Sequence, residues 1–280
     1  MRTAFVGTGY AARWLHLPAV KAADAGVVVG GADPAAERRA EWQEATGSPA
    51  FATVEEMLDA THPELVVVAS PPDNHAAACL AALERGAHVV CEKPFVETIE
   101  QADAVIEGAA AANRQVAVNQ EFRFLPAYAA VKGAIDGGSI GRPVFVQCNQ
   151  FMDLAPWEEK VPWRAAMTDR SLFEGGVHIV DLVYWLMGKR MPATVRATTS
   201  AGLDPARRAD AIHIVTMTFD DGAIATININ RLTRTGTRYL DLRVDGETAT
   251  VCASHGGRAL VQAGIKRAQR PGIRLEFGLE

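Results

Sequence analysis

Hydrophobic positions in the first 120 residues fall into short unbroken runs, separated by longer stretches in which they recur every three or four residues. The runs "RTAFVG" (2–7), "VVVGGAD" (27–33), "LVVVAS" (65–70), "HVVCEK" (88–93) and "QVAVNQ" (115–120) have the length and composition of strands buried on both faces. Between them, the stretches at about 11–25, 34–46, 54–60, 74–86 and 99–114 predict helices. Such alternation predicts a doubly wound parallel sheet.

After about Gly141 the pattern changes. "RPVFVQCNQF", "ATVRATTS", "AIHIVTMTF", "AIATININR", "RYLDLRVDG" and "TATVCAS" read as strands, with Ile212, Ile214 and Thr216 alternating against His213, Val215 and Met217. "DDG" (220–222) and "DGE" (245–247) supply the turns between them. The change of character falls at "DGGSIGRP" (136–143). The chain reads as an α/β protein with two domains. A doubly wound α/β domain spans 1–120, and an α+β domain with a large, mainly antiparallel open sheet spans 121–280, entered through a helix at about 121–142.

One segment breaks the simple pattern. "SLFEGGVHIVDLVYWLMG" (171–188) has a helix-like apolar side made of Ile179, Val180, Leu182, Val183, Leu186 and Met187, yet carries Glu174, His178 and Asp181 at spacings of four and three. In an α-helix those three share a face. Gly175 and Gly176 lie between the first two, where a helix gains nothing from glycine.

Composition narrows the classes. The 280 residues are 49% hydrophobic and 22% charged, with a formal charge of −5 and no long basic block, which argues against nucleic acid as a partner. No apolar run approaches the roughly 18 residues of a membrane span, and "MRTAFVGTGY" does not read as a signal peptide. Cys79, Cys91, Cys148 and Cys252 lack disulfide or metal-ligand spacing, so reduced thiols, a cytoplasmic setting and no metal site are expected.

The chemistry begins at "VGTGYAA". Gly7, Gly9 and Ala12 form G-x-G-x-x-A directly after a strand and at the start of a helix, the context that makes this motif a dinucleotide fingerprint. Gly7 permits the tight turn, Gly9 lets backbone amides approach a pyrophosphate, and Ala12 lets the helix pack closely. Asp33 ends the second strand, where an acid grips the ribose hydroxyls and repels a 2′-phosphate. NAD is therefore expected ahead of NADP, with Arg38 and Arg39 offsetting part of the repulsion. Asp33 also suits a cap for the helix after Pro34, and the two roles are compatible. In "SPPDNH" (70–75) a double proline stiffens a loop at the carboxyl end of the sheet, and His75 reads as a surface position at a helix start.

At "CEKPF" the sequence resembles the Gfo/Idh/MocA oxidoreductase family. The likeness runs in family order through "FVGTGYAA", "VVVGGADP", "VVVASPPDNHAA", "HVVCEKPF", "NQEFRFLP", "VPWR" and "EGGVHIVDLVYWLMG". Members mostly oxidise or reduce a hydroxyl or carbonyl on sugars, cyclitols and related compounds with NAD or NADP. The resemblance implies a Rossmann domain with cofactor contacts at Gly7, Gly9, Tyr10, Ala11, Ala12, Asp33, Arg38, Ser70, Pro71, Asn74, His75, Glu92, Lys93, Asn119 and Arg164. It makes Lys93 the catalytic lysine that holds the reacting oxygen, before a candidate cis bond to Pro94. His178 becomes the proton-exchanging histidine, and Glu174, where many members have aspartate, its orienting acid. Arg123, Trp163 and Asp181 join Lys93 and His178 as substrate contacts. The stripe of Glu174, His178 and Asp181 is expected to face the cleft opposite Lys93, with Gly175 and Gly176 passing close to nicotinamide or substrate.

Read singly, these residues have plainer roles. Lys93 is an exposed strand-end lysine, His178 a satisfied core histidine and Glu174 a helix-start acid. Arg123 and Asp181 suit structural pairs, Tyr184 and Trp185 packing, and His16 no chemistry. Family members commonly end with a helix that returns to the nucleotide domain, whereas this sequence ends at "GIRLEFGLE". The expected function is hydride transfer between nicotinamide and a sugar, polyol or cyclitol, in a homo-oligomer formed through the C-terminal sheet. The alternatives are a non-catalytic dinucleotide-binding sensor and an NAD-recycling glycosidase or lyase.

Overall fold

Strands whose successive residues are all apolar can be buried only between two layers, and the first unit has that arrangement. The computed structural model describes residues 1–23, 26–152, 171–202, 210–233 and 240–254, together with the strands at 258–263 and 274–278. It divides into two units, Met1–Gln120 and Glu121–Glu280. In the first, β1 (Arg2–Val6), β2 (Val27–Ala32), β3 (Ala50–Phe51), β4 (Leu65–Val68), β5 (His88–Cys91) and β6 (Val116–Val118) form a six-stranded sheet ordered β3-β2-β1-β4-β5-β6. Every pairing in it is parallel.

The helices of this unit are α1 (Leu17–Ala22), α2 (Ala36–Thr46), α3 (Val54–Thr61), α4 (His75–Glu84) and α5 (Ile99–Ala111), with a π-helical turn, Ala11–His16, leading into α1. Phe5 and Val67 pack with Ala12, Val20 and Trp42 on one side of the sheet. Ala4, Val6, Val66 and Val68 pack with Met57, Leu58, Leu83 and Val105 on the other. The sheet is thus buried on both faces, and consecutive rather than alternating apolar residues were the correct signal. The edge strand β3 is two residues long, too short to leave a pattern in the sequence. The winding direction reverses between β1 and β4, the switch point outside which doubly wound sheets hold their ligands.

The second unit contains β7 (Pro143–Phe151), β8 (Thr194–Ser200), β9 (Ile212–Thr218), β10 (Ile224–Asn230), β11 (Asp241–Gly246), β12 (Ala249–Ser254), β13 (Arg258–Ala263) and β14 (Arg274–Gly278). They form an eight-stranded sheet ordered β14-β13-β12-β11-β7-β10-β9-β8. The pairing is antiparallel except between β7 and β10. The last two strands lie beyond those expected from the alternation. His213, Val215 and Met217 are buried while Ile214 is exposed, as alternation on a sheet with one covered face requires.

Among the described residues, two helices cover the inner face, α6 (Pro126–Asp136) and α7 (Val177–Leu186). Tyr128 and Val131 of α6, with Ile179, Leu182, Val183 and Leu186 of α7, join Val146, Ile227, Leu242 and Val251 in one core. Helix α6 belongs to this unit because its apolar side fits that sheet, although the change in sequence character comes later. Val180 departs from the expected apolar side of α7 and is 41% exposed.

A charge cluster ties several loops of the second unit together. Asp221, in the turn between β9 and β10, receives Arg190 Nη1 at 2.6 Å and Arg142 Nη1 at 2.5 Å. Arg142 also pairs with Glu247, in the turn before β12, at 3.2 Å. The Arg190 guanidinium foremost, then the Ala223 amide and Arg142, hold the Asp221 carboxyl down at about 2. Because this value lies below the ordinary 3.8, the contribution to stability is complete above that pH and is lost as pH falls through about 2. The difference in urea midpoint between wild type and Asp221→Asn should therefore close as the pH is lowered across that window. A constant difference over the same range would contradict the pairing. Being exposed, the cluster should make only a small contribution.

Candidate functional site

The glycine loop after β1 shows two different reasons for glycine. Gly7 has φ +79°, and a Cβ there would stand 2.6 Å from the Ser70 nitrogen, so the protein's own backbone requires it. A Cβ on Gly9 would meet nothing within 4 Å. The protein's own packing therefore does not require glycine at that position, and the open space leaves room for a pyrophosphate to approach the amides at the helix start. Ala12 is fully buried beneath this turn, whereas Tyr10 is 67% exposed and Ala11 half-buried.

Asp33 braces the same loop from the end of β2. Its Oδ2 accepts hydrogen bonds from the Thr8 amide at 3.0 Å and the Thr8 hydroxyl at 3.3 Å. Its Oδ1 accepts from the Ala35 amide at 3.0 Å, closing a turn ahead of α2. The cap position of that helix is Ala35, without a side-chain bond, so the expected capping by Asp33 is corrected to a turn just before the helix. Arg38 is exposed and pairs with Glu41 at 3.1 Å, while Arg39 donates to the carbonyls of Asp33 and Pro34. Pro71 and Asn74 are exposed on the loop after β4, and Ser70 is half-buried there.

His75 corrects its expected surface placement. The residue is only 1% exposed, with Nδ1 2.8 Å from the Pro94 carbonyl oxygen and Nε2 2.8 Å from that of Ser70. Its ring ties the loop after β4 to the loop after β5, and both ring nitrogens face backbone carbonyl oxygens of these two loops. A short helical turn, Pro72–Asn74, precedes α4 and places this residue inside the fold.

Glu92, after β5, is the polar hub of the first unit. Oε1 lies 2.6 Å from His16 Nε2 and accepts from Asn119 Nδ2 at 2.7 Å, while Oε2 accepts from the Lys93 amide at 3.1 Å. Burial works to raise this carboxyl's pKa, but the hydrogen bonds from His16 and Asn119 prevail and hold it below its usual value. Glu92 and Asn119, both expected at the cofactor, thus hold each other and the backbone of Lys93. His16, expected to carry no chemistry, completes the group. The Lys93–Pro94 bond is cis.

In the second unit the chain reaches α7 through a π-helical turn, Ser171–Gly176. The wider turn changes the register, so the four-residue spacing of Glu174 and His178 no longer places them on one face by helical geometry. Glu174 is half-buried and His178 is 4% exposed. A carboxylate the sequence did not single out stands beside the histidine: Glu121 Oε2 is 3.6 Å from His178 Nδ1. Phe122 stacks on the imidazole with centroids 4.4 Å apart and planes inclined by 12°.

Arg123 and Asp181 form a two-pronged pair with each other, Nε donating to Oδ2 at 2.7 Å and Nη2 to Oδ1. The guanidinium also lies 6.0 Å from the centre of the Trp185 ring. Their structural alternative is therefore realised in the fold. Trp163 and Arg164 lie outside the described residues.

Gly175 has a reason other than the expected passage of nicotinamide or substrate. A Cβ there would stand 2.2 Å from Arg231 Nη2, and one on Gly176 would stand 2.9 Å from the Leu172 side chain. Arg231 is 1% exposed and donates to the Ser171 carbonyl at 3.0 Å. The Ser171 amide donates to Asp210 Oδ1 at 2.9 Å, and His213 Nε2 lies 3.3 Å from the same oxygen. A buried polar network thus fixes the turn that carries Glu174.

Known proteins share this sequence pattern and this fold. Residues 1–120 match the profile of an oxidoreductase family with an NAD-binding Rossmann fold, and residues 128–252 match the GFO/IDH/MocA C-terminal domain. Inositol 2-dehydrogenase 4 of Saccharopolyspora erythraea is 32% identical over 62% of this chain and 49% of its own length. Glucose-6-phosphate 3-dehydrogenase of Bacillus subtilis is 27% identical over 65% of this chain and 52% of its own. The chain spans about half the length of these curated relatives. The solved myo-inositol 2-dehydrogenase of Lactobacillus plantarum superposes with a TM-score of 0.83 at 18% identity, covering 98% of this chain and 81% of that one. Levoglucosan dehydrogenase in complex with NADH gives 0.86 at 21% identity, covering 99% and 80%. At these identities the likeness is one of fold.

The two kinds of glycine predict opposite outcomes. Gly175→Ala must displace a buried guanidinium and should lower the unfolding free energy by about 1–3 kcal/mol in urea titration. Gly9→Ala should leave the urea midpoint of the cofactor-free protein near wild type while abolishing most of the rise in Tm that NAD produces. A full NAD-induced rise in Gly9→Ala would remove this loop from cofactor binding.

Proposed function

The chain belongs to the Gfo/Idh/MocA oxidoreductase family, and on that footing we propose that it transfers hydride between a nicotinamide cofactor and a hydroxyl or carbonyl of a sugar, polyol or cyclitol. The observation that carries this reading is the placement of Lys93. In a domain of NAD-binding type it follows β5, with its amide held by the half-buried Glu92 carboxylate. The curated relatives act on inositol and on glucose 6-phosphate by their names, which supports a polyhydroxylated substrate.

In the oxidation direction, Lys93 holds the reacting oxygen and stabilises negative charge on it. His178 accepts the hydroxyl proton, as an imidazole does well near neutral pH. Glu174, on the turn before α7, adds negative charge that favours the imidazolium. Bound nicotinamide supplies the hydride acceptor. Asp33 favours NAD over NADP, because its carboxylate is held at the end of β2 and the nearby cations are engaged, Arg38 by Glu41 and Arg39 by the Asp33 and Pro34 carbonyls. Trp163, Arg164, Arg123 and Asp181 complete the proposed ligand contacts, with Arg123 and Asp181 acting as a bound pair.

The half-polar outer face of the second sheet, with Asn149 and Asn228 joined at 2.8 Å, suits pairing with a second copy of the chain. Light scattering should then give a mass at least twice the 30.0 kDa of the chain, and a monomer at micromolar concentration would refute that pairing.

A panel of sugars, inositols and keto-sugars, followed at the reduced-nicotinamide band, tests the activity. A dehydrogenase shows net change with a polyol, a recycling lyase yields product without it, and a sensor shows neither. Lys93→Met should reduce kcat by about a hundredfold or more while NAD still raises Tm. Near-normal turnover in that variant would take the oxygen-holding role from Lys93. A larger Tm rise with NADP than with NAD would overturn the cofactor preference.

A further inference from the structure

Three consecutive residues of the turn before α6 each take hold of α7. Glu121 places a carboxylate oxygen 3.6 Å from His178 Nδ1. Phe122, itself buried, lies flat against the imidazole. Arg123 grips Asp181, three residues beyond His178 and so on the same side of the helix. The plane of the ring, its height above the turn and the acid facing one of its nitrogens are therefore set by residues that touch the ring or its own helix face.

We propose that Glu121 is a positioning residue for His178, keeping a proton on Nδ1 and favouring the charged imidazole while Phe122 and the Arg123–Asp181 pair hold the ring against it. At 3.6 Å the contact is an ion-pair distance, beyond a good hydrogen bond, so it works through charge. With Nδ1 protonated, Nε2 is the basic nitrogen. The substrate hydroxyl proton passes to Nε2, and the positive charge then formed on the ring faces the Glu121 carboxylate.

Solvent weakens the effect from one side only, since the Glu121 side chain is 43% exposed and that of His178 5%. Among the described residues, the other charged groups of this region include Glu174 on the preceding turn, Asp181 with its partner Arg123, and Arg231, which lies against Gly175.

The inference rests on the proton-exchanging role proposed for His178, and the test separates the two. The imidazole titration of His178 is followed by NMR in the full chain, assigned by the signal missing from His178→Asn. In Glu121→Gln, which keeps the size and loses the charge, the midpoint should fall by about one pH unit. The limb of the kcat profile should move to lower pH with it, and the plateau should fall severalfold with KM changed by less than about twofold. Glu121→Asp should restore part of the midpoint. An unchanged midpoint in folded Glu121→Gln overturns the inference whatever the activity. Undiminished turnover in His178→Asn would instead sink the proton-exchange reading and leave the titration result standing.

Discussion

A positive charge buried under a helix constrains everything around it, and Arg231 is such a charge. Removing a guanidinium from water costs several kcal/mol unless acceptors replace the lost hydration. The Ser171 carbonyl is one of them, and the Ser171 amide is in turn held by Asp210. No side chain fits at 175 beside the guanidinium, so the residue there is glycine. The turn widens into a π-helix and α7 then begins at Val177. The directions in which Glu174 and His178 leave the backbone follow from that packing.

The first unit solves a related problem with a half-buried negative charge. Glu92 meets a histidine from the turn before α1, an amide side chain from just after β6 and the backbone of its own neighbour. Three segments distant in sequence are thereby brought to one carboxylate at the carboxyl ends of the strands. His75 does the same with carbonyls in place of charge, joining two adjacent loops through one ring. The loops proposed to hold cofactor are therefore braced by polar side chains that point into the protein.

Much of this fold was legible because it depends on short-range patterns. Unbroken apolar runs announced strands buried on two faces, and alternating runs announced strands buried on one. The glycine pattern located the loop after β1 because Gly7 answers a local backbone need. What escaped was long-range. Gly175 gives no sign in the sequence that Arg231 will lie against it. Glu121 and His178 are far apart in the chain, so the histidine's acid was sought among its near neighbours, where helical spacing pointed to Glu174. His75 was read as exposed because a polar residue at a helix start usually is. A pattern of polarity reports the solvent side of an element well, and it does not report which polar group on another element will meet a buried one.

The two sheets differ in when their strands can pair as the chain is made. The first is complete once β6 has been added, since none of its strands waits for a later segment. Central β7 pairs in parallel with β10 and antiparallel with β11, so its neighbours are synthesised long after it. Until then β7 and the apolar sides of α6 and α7 lack the surface that buries them. The first unit has all its strand partners before the second begins, whereas the second waits for β11, and long-separated pairing favours slower folding there. During synthesis, the interval between β7 and β11 is when this protein is most open to misassembly.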